Sequence, residues 1–104
     1  MTTLSIAPRL EKSIQRLFPD LSMNQVLAEL LFERAQKKLI KYRALNRKFS
    51  AKYQQPFEKF RQEITSSQPD FEKEQDYFDW ELALTGTTDM ETEIKHLAKF
   101  VQYA

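Results

Sequence analysis

The sequence predicts a mainly α-helical protein, built on one long central helix with shorter helices packed against it and room for a short N-terminal strand. Three observations predict this class. A single glycine in 104 residues leaves too few turn-formers for a β fold. Charged residues make up 30% of the chain and sit among strong helix formers. Residues 20–55 contain neither proline nor glycine and hold a helical period throughout.

In that stretch Leu27, Leu31, Ala35, Leu39, Tyr42, Leu45, Phe49 and Tyr53 step by three or four residues, which keeps them on one stripe of a helix. Ser22 followed by Gln25 forms a capping box at its start, and Leu21 with Val26 forms the hydrophobic staple. Pro56 disfavours helical geometry at Gln55 and stops it. At ~1.5 Å per residue the rod is roughly 45 to 50 Å long, longer than a compact domain of this size is wide. Part of its stripe must therefore be covered by flanking segments or by another chain.

Upstream, Thr2 to Ala7 alternates, with Leu4 and Ile6 on one side and Thr3 and Ser5 on the other, a short strand signal. Pro8 suits the first turn of a helix whose stripe is Leu10, Ile14 and Leu17 or Phe18. Pro19 to Ser22 is a tight turn into the long helix. Downstream of Pro56, Phe57, Phe60 and Ile64 form one edge of a short helix able to fold back, and Thr65 to Pro69 reads as a linker.

Residues 70–84 concentrate six carboxylates and four aromatics. On a helical wheel Phe71, Phe78 and Leu82 share one face, and Tyr77, Trp80 and Leu84 lie roughly opposite. One face can cover the long helix. The other either stands exposed as a protein-binding surface, since Trp and Tyr dominate interface hot spots, or completes a two-sided core helix. Beyond it, Met90, Ile94, Leu97 and Val101 continue at an angle that falls on the side of Glu72, Asp76 and Asp79. That mismatch, with Gly86 and a Thr88–Glu91 capping box, predicts a kink or stop near Gly86 and a last helix from about Asp89 to Gln102.

The net charge of +1 hides a division. Residues 1–55 hold eleven Lys/Arg against four Asp/Glu, and residues 56–104 hold five against eleven. The halves either neutralise each other within the fold or serve different partners. We divide the chain accordingly into 1–55, the basic N-terminal region running into the long helix, and 56–104, the acidic helical region taken to bind a partner; the resemblances below imply dimerisation and DNA binding for the first. Along the long helix Arg34, Lys37, Lys41, Lys48 and Lys52 form a basic row, either a solvated, partner-pairing face or a set of phosphate contacts. The absence of cysteine removes disulfides and thiolate metal sites and fits a reducing compartment. With no signal pattern and no run approaching the ~20 apolar residues of a membrane span, the expectation is a cytoplasmic protein with no membrane partner.

The segment Thr3-Leu4-Ser5-Ile6, the helix through Leu10, Ile14 and Leu17, and Leu21 to Leu27 opening a second helix resemble the ribbon-helix-helix family. That resemblance implies a homodimer whose paired strands read operator DNA in the major groove. Thr3 and Ser5 would face bases, Leu4 and Ile6 the dimer core, and the N–H groups at Met23 and Asn24 a phosphate. Lys37 and Lys41 would add sequence-blind contacts. A plain helical hairpin without the strand is the alternative. The order of long helix, Lys52 to Phe60, then Asp76-Tyr77-Phe78-Asp79-Trp80-Glu81 resembles the antitoxin halves of small prokaryotic two-gene toxin–antitoxin modules. It implies a regulator that binds and neutralises a co-encoded toxin and represses its own operon. The toxin-binding residues would be Tyr77, Phe78, Trp80, Glu81 and Leu84, with Tyr77, Trp80 and Leu84 as the apolar anchor. The competing reading is a helical scaffold that never touches DNA.

Enzyme chemistry and cofactors are not expected. His96 is the sole histidine, and Glu93-x-x-His96 is half of what helix-bundle metal sites use. Pairs such as Glu72 with Asp76 have the chemistry to hold a cation or move a proton, but in so acidic a run their spacing carries little information.

Overall fold

A computed structural model describes residues 5–101 of the chain. Four helices follow in order: α1 (Pro8–Leu17), α2 (Met23–Tyr53), α3 (Phe57–Ser66) and α4 (Phe71–Leu97), with a 3₁₀ turn at Ala98–Phe100. The start of α2 is the one its sequence anticipates. Ser22 Oγ accepts the Gln25 N–H at 3.2 Å, Gln25 Oε1 accepts the Ser22 N–H at 3.0 Å, and Val26 is fully buried. At the other end Gln54 turns into the left-handed region with φ 51°, ending the helix two residues before Pro56. Asp70 caps α4 by accepting the Lys73 N–H at 2.8 Å.

The molecule is an antiparallel hairpin of α2 and α4, with α3 folded into its closed end. Along α2 one row of buried and half-buried residues runs Ala28, Phe32, Ala35, Leu39, Tyr42, Asn46, Phe49 and Tyr53; along α4 one runs Asp76, Trp80, Ala83, Thr87, Met90, Ile94 and Leu97. Both sets alternate steps of three and four. That is the 3.5-residue repeat by which two helices keep one seam in contact along their length. Tyr53 meets Asp76, Phe49 meets Trp80, and Tyr42 meets Gly86, so each step up α2 is matched by a step down α4. The seam loosens in the first part of α2, where Ala28 is buried while Leu27 and Leu31 stay 40% and 56% exposed and border open hollows shared with Leu97.

The expected break at Gly86 is absent, and α4 is continuous from Phe71 to Leu97. Gly86 is needed for proximity. A methyl group there would lie 2.6 Å from Tyr42 Cε2, inside van der Waals contact. The threonines do not cap a new helix either, since Thr87 Oγ1 and Thr88 Oγ1 donate back to the Ala83 and Leu84 carbonyls at 2.8 and 3.4 Å. The wheel mismatch has a cause in Asp76, a carboxylate that occupies the seam. The final helix therefore has no separate start at Asp89.

No strand occurs among the described residues. Ser5 to Ala7 is irregular, and the remainder of the expected strand, Thr2 to Leu4, lies outside the described residues. The hairpin is elongated, with a radius of gyration of 19.6 Å and extents of 57 × 28 × 26 Å, against about 13 Å for a compact domain of this length. No helix among the described residues is long and apolar enough to cross a membrane.

Candidate protein-binding surfaces

Three features bear on the surface: a buried aromatic cluster that fixes which face of α4 is turned inward, the outward face this leaves, and a groove at the other end. At the closed end of the hairpin, Phe49, Phe60 and Trp80 are buried together, ringed by Leu45, Tyr53, Phe57, Ile64, Tyr77 and Leu84. Tyr53 stacks on Phe60 at 4.2 Å, and Phe57 presents an edge to Trp80 at 5.3 Å, the offset and edge geometries that aromatic quadrupoles favour. Trp80 is 0% exposed, and its indole N–H donates to Asn46 Oδ1 at 2.8 Å. Its one polar atom is thus satisfied inside the core.

A polar knot borders this cluster. Lys52 Nζ donates to Asp76 Oδ2 at 2.5 Å and to Glu72 Oε1 at 2.8 Å, while Tyr53 OH donates to the same Asp76 oxygen at 2.5 Å. The Asp76 side chain is only 14% exposed. Burial works to raise its carboxyl, but the hydrogen bonds from Lys52 and Tyr53 outweigh burial and hold it below the usual carboxylate range. Tyr53 is pushed up to about 12, first by burial and then by its hydrogen bond to Asp76. The Lys52 ammonium is raised by its hydrogen bonds to Asp76 and Glu72. With Arg43 near Glu91 at 3.7 Å, these contacts join the basic α2 to the acidic α4. Part of the charge division is therefore neutralised inside the fold.

Trp80 as an exposed anchor is consequently a correction. Tyr77 and Leu84 are half-buried in the same cluster. The reason is α3: Phe57 and Phe60 fold back over the indole, so α2 and α3 together cover what one helix could not. Residues 67–70 are a short irregular connection, and α3 reaches Ser66, whose hydroxyl donates to the Gln62 carbonyl at 2.7 Å. Of the expected partner-binding residues, Phe78 and Glu81 remain on the outside.

The second feature is the face of α4 turned away from the seam. Phe71 is 82% exposed, Phe78 54% and Leu82 62%, and their spacing of seven and four places them in one line. Sequence reasoning found this face and counted Phe78 among the partner contacts, but placed the apolar anchor on the opposite face. The heptad through Asp76, Trp80 and Ala83 was the signal that would have turned it outward.

The third feature is an open groove of about 360 Å³ at the other end of the hairpin. It is lined by Ile6, Leu10, Ile14, Leu17 and Phe18 on one side and Met23, Leu27 and Leu30 on the other. No residue of α1 is buried. Met23, expected to present its N–H to a phosphate, contributes its side chain to this groove. Asn24 is exposed beside a depression that ends at Leu97 and Phe100. Lys37 and Lys41 are exposed on the outer side of α2, and Lys52, in the same row, is the ion-paired member. Ser5 is exposed, and Thr3 lies outside the described residues.

Glu93 and His96 are both exposed, and no group of three or more His, Cys, Asp or Glu is arranged to hold a metal among the described residues. Compared with protein-family models, curated proteins and solved structures, the chain gives no match.

Proposed function

We propose that this chain is an antitoxin-type regulator: a non-enzymatic homodimer that binds and neutralises a co-encoded toxin and represses its own operon. The observation that carries the reading is that the hairpin satisfies its own seam and still leaves apolar side chains outside at both ends, the α1–α2 groove at one and Phe71, Phe78 and Leu82 at the other. Apolar surface of this extent on a small chain marks interaction sites. A second copy covers the α1–α2 groove, bringing two basic N-terminal halves together. Lys37 and Lys41, exposed on each, then supply salt-sensitive phosphate contacts. The toxin takes the acidic end.

The test is expression of the adjacent reading frame alone and together with this chain. Growth arrest by the first, relieved by the second and accompanied by a stable complex, supports the reading; absence of both arrest and complex refutes it. The second reading, a scaffold that does not touch DNA, is favoured by the irregular backbone at Ser5 to Ala7, where the DNA-reading ribbon would run. Complex formation without any preference for upstream over random DNA at low salt selects it.

A further inference from the structure

We propose that the outward face of the first half of α4 docks onto a basic protein surface bearing an apolar cleft, with Phe71, Phe78 and Leu82 as the inserted ridge. The inference rests on the protein-binding reading above and names its contact. The ridge spans eleven residue steps, from 71 to 82, about 16 Å at 1.5 Å per residue. It has the i, i+7, i+11 spacing by which a single helix lays an apolar edge into a groove. The Phe78 ring meets Tyr77 edge-on at 5.5 Å, and Leu82 borders a shallow hollow with Leu45 and Lys48 of α2 while staying 62% exposed. The helix beneath it is held rigid by the Trp80 cluster and by Asp76 on Lys52 and Tyr53, so the ridge is presented in a fixed orientation and little ordering is lost on binding.

Charge decides the occupant. Residues 70–81 carry six carboxylates and one lysine. Glu72 and Asp76 are held by Lys52, which leaves Glu74 and Glu81 on one edge of the ridge and Asp79 on the other without an ion pair among the described residues. Lys73 turns to the α3 side, lining a hollow with Phe60 and Ile64. The ridge is therefore apolar along its middle and anionic on both sides. Nucleic acid and anionic lipid are repelled by it, and a surface rich in Lys and Arg is steered toward it. A second copy of this chain also has a basic face, Arg34, Lys37 and Lys41 on α2. Joining that face to α4 is a head-to-tail contact, which builds rings or filaments and not the two-copy dimer proposed above, so a different protein is the fitting partner.

The test uses the full chain with the product of the adjacent reading frame as probe. A photo-crosslinking benzoylphenylalanine is placed at position 78, at 82, at 17 in the N-terminal groove or, as a control on the exposed outer side of α2, at 40. Adducts from 78 and 82 but not from 40 are expected. Phe78→Ala should raise Kd by about 30-fold or more, the threshold of a hot spot. The pair Glu74→Lys with Asp79→Lys should raise it by about 10-fold at low salt and much less at high salt. These side chains are exposed, so helicity measured by circular dichroism should not change. A complex that crosslinks only from N-terminal positions such as Leu17, with Phe78→Ala neutral, overturns the assignment of this face and leaves the antitoxin reading standing. No complex of any kind defeats both. Salt-sensitive polymerisation of the chain alone, abolished by the charge reversals and without probe binding, makes the occupant a second copy and overturns the proposal.

Discussion

Gly86 shows how one residue carries two opposed local arguments. By helix propensity Gly86→Ala should stabilise an internal helical position by about 1 kcal/mol. The Tyr42 ring reverses the sign, because the added methyl would sit 2.6 Å from it and overpacking of a seam costs about 1–3 kcal/mol. Gly86→Ala is expected to lower the unfolding midpoint in the full-length background and to raise it once Tyr42→Ala has removed the ring, a sign change that thermal unfolding of the double-mutant cycle reads directly. The polar knot makes a second prediction. Tyr53 is raised from 10.0 to about 12, so its contribution is complete below its unfolded value and is lost as pH climbs from 10.0 toward about 12. Asp76, lowered from 3.8, contributes fully above that value and loses its contribution as pH falls through its folded pKa. The stability–pH curve should fall at both ends. Tyr53→Phe should flatten the alkaline limb, and Asp76→Asn should reduce the acid one.

Elements were legible where local signals and the seam agreed. The capping box at Ser22, the stop before Pro56, the proline-started α1 and the fold-back of Phe57 and Phe60 all follow from residues within one or two turns of the feature they set. The misses share a cause in tertiary contacts that a single-helix wheel does not contain. Asp76 reads as a surface carboxylate until Lys52 and Tyr53, more than twenty residues away, meet it in the seam. Trp80 reads as an interface residue until α3 closes over it. Leu27 and Leu31 read as core by their four-residue steps to Ala35, yet both stay more than a third exposed while the small Ala28 is buried. At this scale Trp80→Ala should cost about 3–5 kcal/mol of stability, in the range for a large buried aromatic, and chemical denaturation of the variant checks it. Phe71→Ala, on the outward ridge, should change stability by less than about 0.5 kcal/mol.

For the whole molecule, only eight apolar residues are buried among those described, and three of them are alanines. A hairpin with so thin a core gains from association, and the α1–α2 groove is the surface to be covered. Sedimentation of the full chain at micromolar concentration should give a dimer. Leu17→Asp, at a position 74% exposed in the single chain, should give a monomer with unchanged helicity. The central claim is that the aromatic face of α4 belongs to the core and the opposite face to the partner, and the emission of Trp80, the only tryptophan, tests it most directly. The free chain should already emit in the blue and resist aqueous quenchers, with no further shift when the adjacent gene product binds. Red, quencher-accessible emission in the free chain that turns blue on binding would contradict it, because Trp80 would then be the contact.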